Sequence, residues 1–195
     1  MRQAAARLFA PFVLMLALGP ADIAHAATNP WSLTLYGGPV TDTIFTQVVA
    51  GKFKLFGGMI GVAANRRLAY LGWGWNLAGE AQLQVFSFGN DYAAVALGVG
   101  VEYHQFPWDR YLPTSFSFYI GPSYSMDPPL AYPRAQWGSR KALLNYVALE
   151  LAFALPQSRH WDTAFRIYHR SGAWGLFTLD ADEATVVGAG IRYRF

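Results

Sequence analysis

A histidine and a serine two residues apart, followed by a glutamate, are the side chains of this sequence whose types and spacing suggest chemistry. His169, Ser171 and Glu183 supply an imidazole base, a hydroxyl nucleophile and a carboxylate. In acyl transfer the serine attacks a carbonyl carbon, the histidine takes and returns the proton, and the carboxylate orients the imidazole. The set therefore predicts a catalytic triad for acyl transfer.

The alternation of the surrounding residues places this triad on one face of two neighbouring strands. Residues 161–171 and 183–195 each alternate with a period of two, so odd and even positions face opposite ways. Arg192 and Arg194 occupy even positions, and guanidinium groups are unfavourable against hydrocarbon. Odd positions are therefore predicted to face outward, and all three triad residues have odd numbers.

The N-terminal segment predicts export from the cytoplasm. Two arginines precede an apolar run over residues 8–19, and small residues lead to Ala26. This pattern is typical of a secretory signal peptide, predicted here over residues 1–26 with cleavage after Ala26. Residues 27–195 have the length of one domain, and nothing in them marks a linker.

Composition favours a membrane-spanning β-barrel. Hydrophobic residues make up 53% of the chain, yet residues 27–195 contain no apolar run of about 18 residues, the length that a spanning helix needs. The chain has no cysteine, which excludes disulfides and thiolate ligands, and its histidines are too far apart to suggest a metal site. A formal net charge of +3 is compatible with an anionic membrane surface and is weak evidence for a nucleic-acid partner.

Eight alternating segments predict the fold: an all-β, eight-stranded antiparallel transmembrane barrel. The segments are residues 31–38, 53–68, 75–85, 93–103, 115–125, 143–155, 161–171 and 183–195. With both termini on the periplasmic side, the longer connections fall at the outer end, as is usual for such barrels. Eight strands enclose an interior that side chains fill.

Charged residues are predicted to pair inside this barrel. The inward carboxylates are Glu80, Glu102 and Glu150, and the inward guanidinium groups are Arg166, Arg192 and Arg194. Buried charges are stabilised by partners of opposite sign, so ion pairs among these residues are the expected arrangement.

The run from Phe165 to Glu183 resembles the lipid A 3-O-deacylases of the PagL type, whose last two strands carry His-x-Ser and then a glutamate. His169-Arg170-Ser171 matches the first motif, and Glu183 follows at the family's spacing. The resemblance implies an outer-membrane esterase that removes an ester-linked acyl chain from lipid A. It further implies lipopolysaccharide of the outer leaflet as the partner, a site on the lipid-facing wall, and no cofactor or metal.

The sequence departs from this family at two positions near the serine. Gly172 and Leu179 stand where the family has asparagines, so backbone N–H groups around Gly172 and Gly175 are the predicted oxyanion donors. Three aromatic residues are predicted either to line an acyl groove or to belong to an interfacial girdle. They are Phe165, Trp174 and Phe177.

The sequence is also compatible with other functions. The histidine and serine are also compatible with ordinary polar residues at a barrel rim, in a non-catalytic structural or adhesive outer-membrane protein. A small-solute channel is disfavoured by the packed interior of an eight-stranded barrel. A lipid A acyltransferase is disfavoured because residues 27–31 leave no room for an N-terminal amphipathic helix. The sequence leaves open which acyl position is cleaved and whether the barrel forms a homodimer.

Overall fold

The computed structural model describes residues 30–41, 47–48, 50–51, 55–88, 90–126, 142–155, 158, 160–172 and 184–195. The predicted signal peptide, residues 1–26, lies outside this part of the chain. The residues of the predicted site that also lie outside it are Trp174, Gly175, Phe177, Leu179 and Glu183.

Eight strands form one closed antiparallel barrel, as the alternation predicts. They are β1 (Trp31–Thr41), β2 (Leu55–Gly72), β3 (Trp75–Phe88), β4 (Asn90–Tyr103), β5 (Thr114–Met126), β6 (Leu143–Ala154), β7 (Trp161–Ser171) and β8 (Ala184–Arg194). Each strand pairs with its neighbours in sequence, and β8 pairs with β1 to close the sheet. Among the described residues, no helix has the length and apolarity needed to cross a membrane.

Several strand ends lie beyond the sequence prediction. Strand β1 continues to Thr41, three residues past the predicted end at residue 38. Strand β2 has 18 residues and extends to Gly72, beyond the predicted end at residue 68. Strands β3 and β4 stay paired up to Phe88 and Asn90, beyond the predicted segment ends at residues 85 and 93. These differences arise because backbone hydrogen bonds hold the ladder, and they continue beyond the residues whose side chains alternate clearly.

Apolar side chains cover the outside of the barrel. Leu97 of β4 is 63% exposed, and Leu83 of β3 and Ile60 of β2 are exposed as well. The interior instead contains buried carboxylates, amides and guanidinium groups. This distribution, with the apolar face outward and the polar face inward, is typical of a barrel that spans a membrane.

A chain of ion pairs crosses the interior, largely as predicted. Arg166 donates hydrogen bonds to both Glu80 and Glu150, and its contact with Glu150 is 2.9 Å long. Arg192 links Glu150 to Asp162, at 3.1 and 2.7 Å. These side chains are buried, so each charge depends on its partners in place of water.

Glu102 forms no direct ion pair with an arginine among the described residues, contrary to the prediction. Tyr119 donates a 2.6 Å hydrogen bond to Glu102, and His104 lies 3.3 Å from the same carboxylate. Arg194 pairs with Asp162, at 2.9 Å. Asp162 is at an inward position at the start of β7, where it pairs directly with both Arg192 and Arg194. Arg192 interacts with Glu102 electrostatically from a greater distance.

Large and small side chains fill the interior together. Tyr146 of β6 extends across the barrel towards Gly98 of β4 and donates a hydrogen bond to Glu80, at 3.2 Å. A Cβ atom added at Gly98 would lie 2.0 Å from the Tyr146 hydroxyl, closer than side-chain atoms can approach. The absence of a side chain at Gly98 is thus what makes room for Tyr146, and the packing agrees with a filled lumen.

The exposed wall yields a stability prediction. Leu97→Arg is expected to lower the free energy of unfolding in lipid vesicles by about 2–4 kcal/mol, because position 97 is central in β4 and would bring a charge to the middle of the bilayer. Leu112→Arg, in the connection between β4 and β5, is the matched control and should cost less than about 1 kcal/mol. Equal effects of the two changes in denaturant titrations would show that the wall is not in contact with hydrocarbon.

Candidate active site on the barrel wall

Strand β7 presents His169 and Ser171 on its outward face, near its C-terminal end. Tyr168 and Arg170 alternate with them and are buried inside the barrel, where Tyr168 belongs to the hydrophobic core. The outward direction of His169 and Ser171 agrees with the alternation. Residues two apart on one strand face have Cα atoms about 7 Å apart, within reach of an imidazole and a hydroxyl.

A polar row runs across the wall at the level of the histidine. His169 pairs in register with Thr185 of β8, and Thr185 pairs with Thr41 of β1. The Nδ1 atom of His169 lies 2.9 Å from Thr185 Oγ1, so these two side chains form a buried hydrogen bond. One nitrogen of the imidazole is therefore fixed by β8, which leaves the other to face away from that contact.

The next row towards the end of β7 contains the serine. Ser171 pairs in register with Asn145 of β6. Directly opposite residues of an antiparallel pair project their side chains to the same face of the sheet. Asn145 is thus an amide beside the serine, on a strand face whose next outward residues are Val147 and Leu149.

These five residues, Thr41, Asn145, His169, Ser171 and Thr185, form what we call the wall cluster. They face outward, yet four of them are buried: Thr41 and Thr185 are fully covered, Asn145 is 6% exposed and His169 is 8% exposed. Outward residues further along the same strands are open, since Phe165 is 52% exposed. The wall cluster is therefore an enclosed polar site on an otherwise apolar wall, which differs from a solvated rim.

An apolar column continues along the wall from the cluster. Ile167 of β7 pairs with Leu149 on one side and Val187 on the other. Phe165 comes next and stacks edge-on against Phe153, with ring centroids 6.2 Å apart. Phe165 is six residues from Ser171, which is about 20 Å along a strand. It can contact only the distal part of a chain that starts at the serine.

Other predicted site residues fall at or beyond the edge of the described structure. Gly172 is buried and follows directly after β7. The pairing of β7 with β8 is described up to Arg170 and Ala184, so the predicted role of Glu183 lies one residue beyond it. The predictions for Gly175, Trp174 and Phe177 stay predictions.

Sequence reasoning missed three members of the wall cluster: Thr41, which lies beyond the predicted end of the first strand at residue 38, and Asn145 and Thr185, which lie within predicted strands. Asn145 and Thr185 have the outward parity of their strands, and both are polar where the neighbouring outward residues are apolar. A search for polar residues on the apolar face would have found them. Their closeness to His169 and Ser171 depends on the strand register, which the alternation alone does not determine.

The fold and the wall cluster together define a class: closed eight-stranded barrels with an apolar outer wall and a histidine and serine on it. Among solved structures, this chain is similar to the crystal structure of the outer membrane enzyme PagL, with a TM-score of 0.59 and 11% sequence identity. The alignment covers 84% of this chain and 99% of that chain. At this identity the likeness shows a shared fold. No protein-family model matches the sequence, and no curated protein does.

Proposed function

We propose that this protein is an outer-membrane esterase that hydrolyses an ester-linked acyl chain of lipid A, in the manner of 3-O-deacylation. Ser171 is the nucleophile, His169 is the general base and acid, and Glu183 orients the imidazole. The observation that carries the proposal is the enclosed polar site around His169 and Ser171 on a lipid-facing wall. The fold shared with an outer membrane enzyme supports it.

The reaction proceeds in two halves. His169 removes the proton from Ser171 while the serine oxygen bonds to the ester carbonyl carbon, and the carbonyl π electrons move to its oxygen. Collapse of this intermediate breaks the bond to the sugar oxygen, which receives the proton from His169. Water then attacks the acyl-serine with His169 again as the base, and the fatty acid leaves as Ser171 regains its proton.

The hydrogen bond to Thr185 assigns a task to each nitrogen of His169. When Nδ1–H donates to Thr185 Oγ1 across the 2.9 Å contact, Nε2 carries the lone pair and can accept the proton of Ser171. Glu183 precedes Thr185 by two residues and has the same outward parity. We assign Glu183 to orienting and stabilising the imidazolium that forms during the reaction, while Thr185 holds the ring through its contact with Nδ1.

The position of the site limits the class of substrate. His169 lies where the wall cluster meets the apolar column that begins at Ile167, and Ser171 lies one row further towards the end of β7. This arrangement suits an ester with its head in the polar layer and its chain in hydrocarbon. Lipid A in the outer leaflet has this chemistry, with acyl esters just beneath its sugar headgroup. The end of the barrel where β7 finishes is therefore assigned to the outer surface of the membrane.

The test of this function uses the purified, folded barrel in mixed micelles with fully acylated lipid A in ¹⁸O-labelled water. We expect release of one free hydroxy fatty acid per lipid A, carrying one ¹⁸O atom from hydrolysis of the acyl-serine. Transfer of the chain to another lipid would identify an acyltransferase. No release by the folded protein would favour a non-catalytic barrel and would contradict the proposal.

A milder change tests the role of Thr185. Thr185→Val, which keeps the shape and removes the hydroxyl, is expected to lower kcat about fivefold, since one hydrogen bond contributes about 1 kcal/mol. Thr185→Ser keeps the hydroxyl and should retain most of the activity. If the valine and serine variants hydrolyse lipid A equally fast, Thr185 does not position the histidine.

A further inference from the structure

We infer that Asn145 is a catalytic residue whose side-chain N–H donates a hydrogen bond to the oxyanion of the tetrahedral intermediate. The inference rests on the proposed function, because it names a further participant at the same site. It also identifies a side chain for a task that sequence reasoning assigned only to backbone groups near Gly172. The observation behind this inference is that strand register places Asn145 beside Ser171 on the barrel wall.

The strand register brings the two side chains together. Asn145 on β6 and Ser171 on β7 are partners in an antiparallel ladder, and the ladder continues through Val147 with His169 and Leu149 with Ile167. The Cβ atoms of such partners are about 4.5–5.5 Å apart, and both side chains leave the sheet on the same side. Asn145 and His169 therefore approach the serine from different directions, one across the ladder and one along the strand.

These directions suit the geometry of acyl transfer. The base must lie beside the serine hydroxyl, and the oxyanion donor must lie 2.7–3.1 Å from the oxygen of the attacked carbonyl. In an ester bonded to Ser171, that oxygen is two bonds from Oγ, on the far side from the base. An asparagine amide extends two bonds beyond its Cβ, which brings its N–H to this position from the neighbouring strand.

The surroundings of Asn145 also favour a functional role. Its neighbours on the outward face of β6 are Leu143 and Val147, and Leu149 follows Val147 on the same face. A buried amide among apolar residues is unfavourable unless it forms hydrogen bonds. At 6% exposure, Asn145 lies in an enclosed site, where a fixed amide dipole stabilises developing charge more strongly than in water.

The experiment compares three variants of the full-length folded protein, each assayed with lipid A in mixed micelles. Asn145→Ala is expected to lower kcat by about 10²-fold with little change in KM, the effect of losing one oxyanion donor. Asn145→Asp should lose at least as much, since a carboxylate of the same size repels the oxyanion. Leu143→Ala is the control, because it lies on the same strand face two residues away and should keep wild-type kcat.

A second readout separates catalysis from structural support. A tetrahedral phosphonate analogue of the acyl ester should bind Asn145→Ala about 10²-fold more weakly than wild type, because it carries the negative oxygen of the intermediate. The affinity for intact lipid A should stay the same in Ser171→Ala backgrounds with and without the Asn145 change. If Asn145→Ala lowers the yield of folded protein, Asn145→Ser provides the same comparison with a polar side chain.

The outcomes distinguish this inference from the function on which it rests. A wild-type protein without hydrolase activity would contradict the proposed function itself. An active wild type together with Asn145→Ala and Asn145→Asp variants of unchanged kcat would overturn the role of Asn145 alone. A loss that appears in KM and not in kcat would show that Asn145 binds the lipid headgroup and does not stabilise the intermediate, and would equally overturn it.

Discussion

Arg166→Met is expected to lower the free energy of unfolding by about 3–5 kcal/mol, the effect of leaving buried charges without their partner. Arg166 is fully buried at the centre of the barrel and donates hydrogen bonds to both Glu80 and Glu150. It also lies over the ring of Tyr36, with 4.9 Å between the guanidinium carbon and the ring centroid. Methionine fills part of the volume but leaves two carboxylates short of positive charge. Denaturant unfolding in lipid vesicles measures the loss.

The control for this prediction is Arg194→Met. The side chain of Arg194 is 39% exposed and pairs with Asp162, so its removal should cost less than about 1 kcal/mol. Adding Glu80→Gln to Arg166→Met should restore part of the stability, since it removes one of the unpaired charges. A barrel that tolerates Arg166→Met as well as Arg194→Met would show that water screens the interior, contrary to the packed lumen described above.

Ser171→Ala and His169→Asn are each expected to reduce lipid A hydrolysis by about 10³-fold or more, because neither nucleophile nor base has a substitute nearby. Glu183→Ala should lose less, since an orienting group contributes less than the groups that exchange the proton. Asparagine at position 169 can keep a hydrogen bond to Thr185, which makes it a suitable replacement for a buried histidine. The assay is release of hydroxy fatty acid by the purified barrel.

Correct folding of these variants needs its own check. Ser171 is partly exposed, but His169 is buried against Thr185, so its replacement affects packing as well as chemistry. Unheated samples of the variants should migrate in gels as the folded wild type does, and their circular dichroism should agree. A folded Ser171→Ala variant with wild-type activity would exclude Ser171 as the nucleophile.

The fold could be predicted because barrel strands have a strong period of two. Arg192 and Arg194 on even positions identify the inward face of β8, and the same logic gives the outward positions of His169 and Ser171. Ion pairing inside the barrel followed from the inward glutamates. The particular partner of each charge could not be predicted. Asp162 competes for both Arg192 and Arg194, and the pairing depends on which side chains reach each other across the lumen.

For the site, the sequence predicts the arrangement of residues along β7 but not which residues of the neighbouring strands lie beside them. The spacing of His169 and Ser171 is local, whereas the neighbours of each residue on β6 and β8 depend on register. A shift of two residues would preserve every inward and outward position and yet separate Asn145 from Ser171. The burial of the wall cluster was also beyond sequence reasoning, since an outward polar residue near a strand end is ordinarily expected to be solvated.

The most direct test of the proposed function is the lipid A of a bacterium that normally keeps all its acyl chains, after expression of this protein. Mass spectrometry should show the loss of one hydroxyacyl chain with the wild-type protein and intact lipid A with Ser171→Ala, at equal amounts of folded barrel in the outer membrane. Fully acylated lipid A in cells whose outer membrane contains the folded wild-type protein would contradict the account.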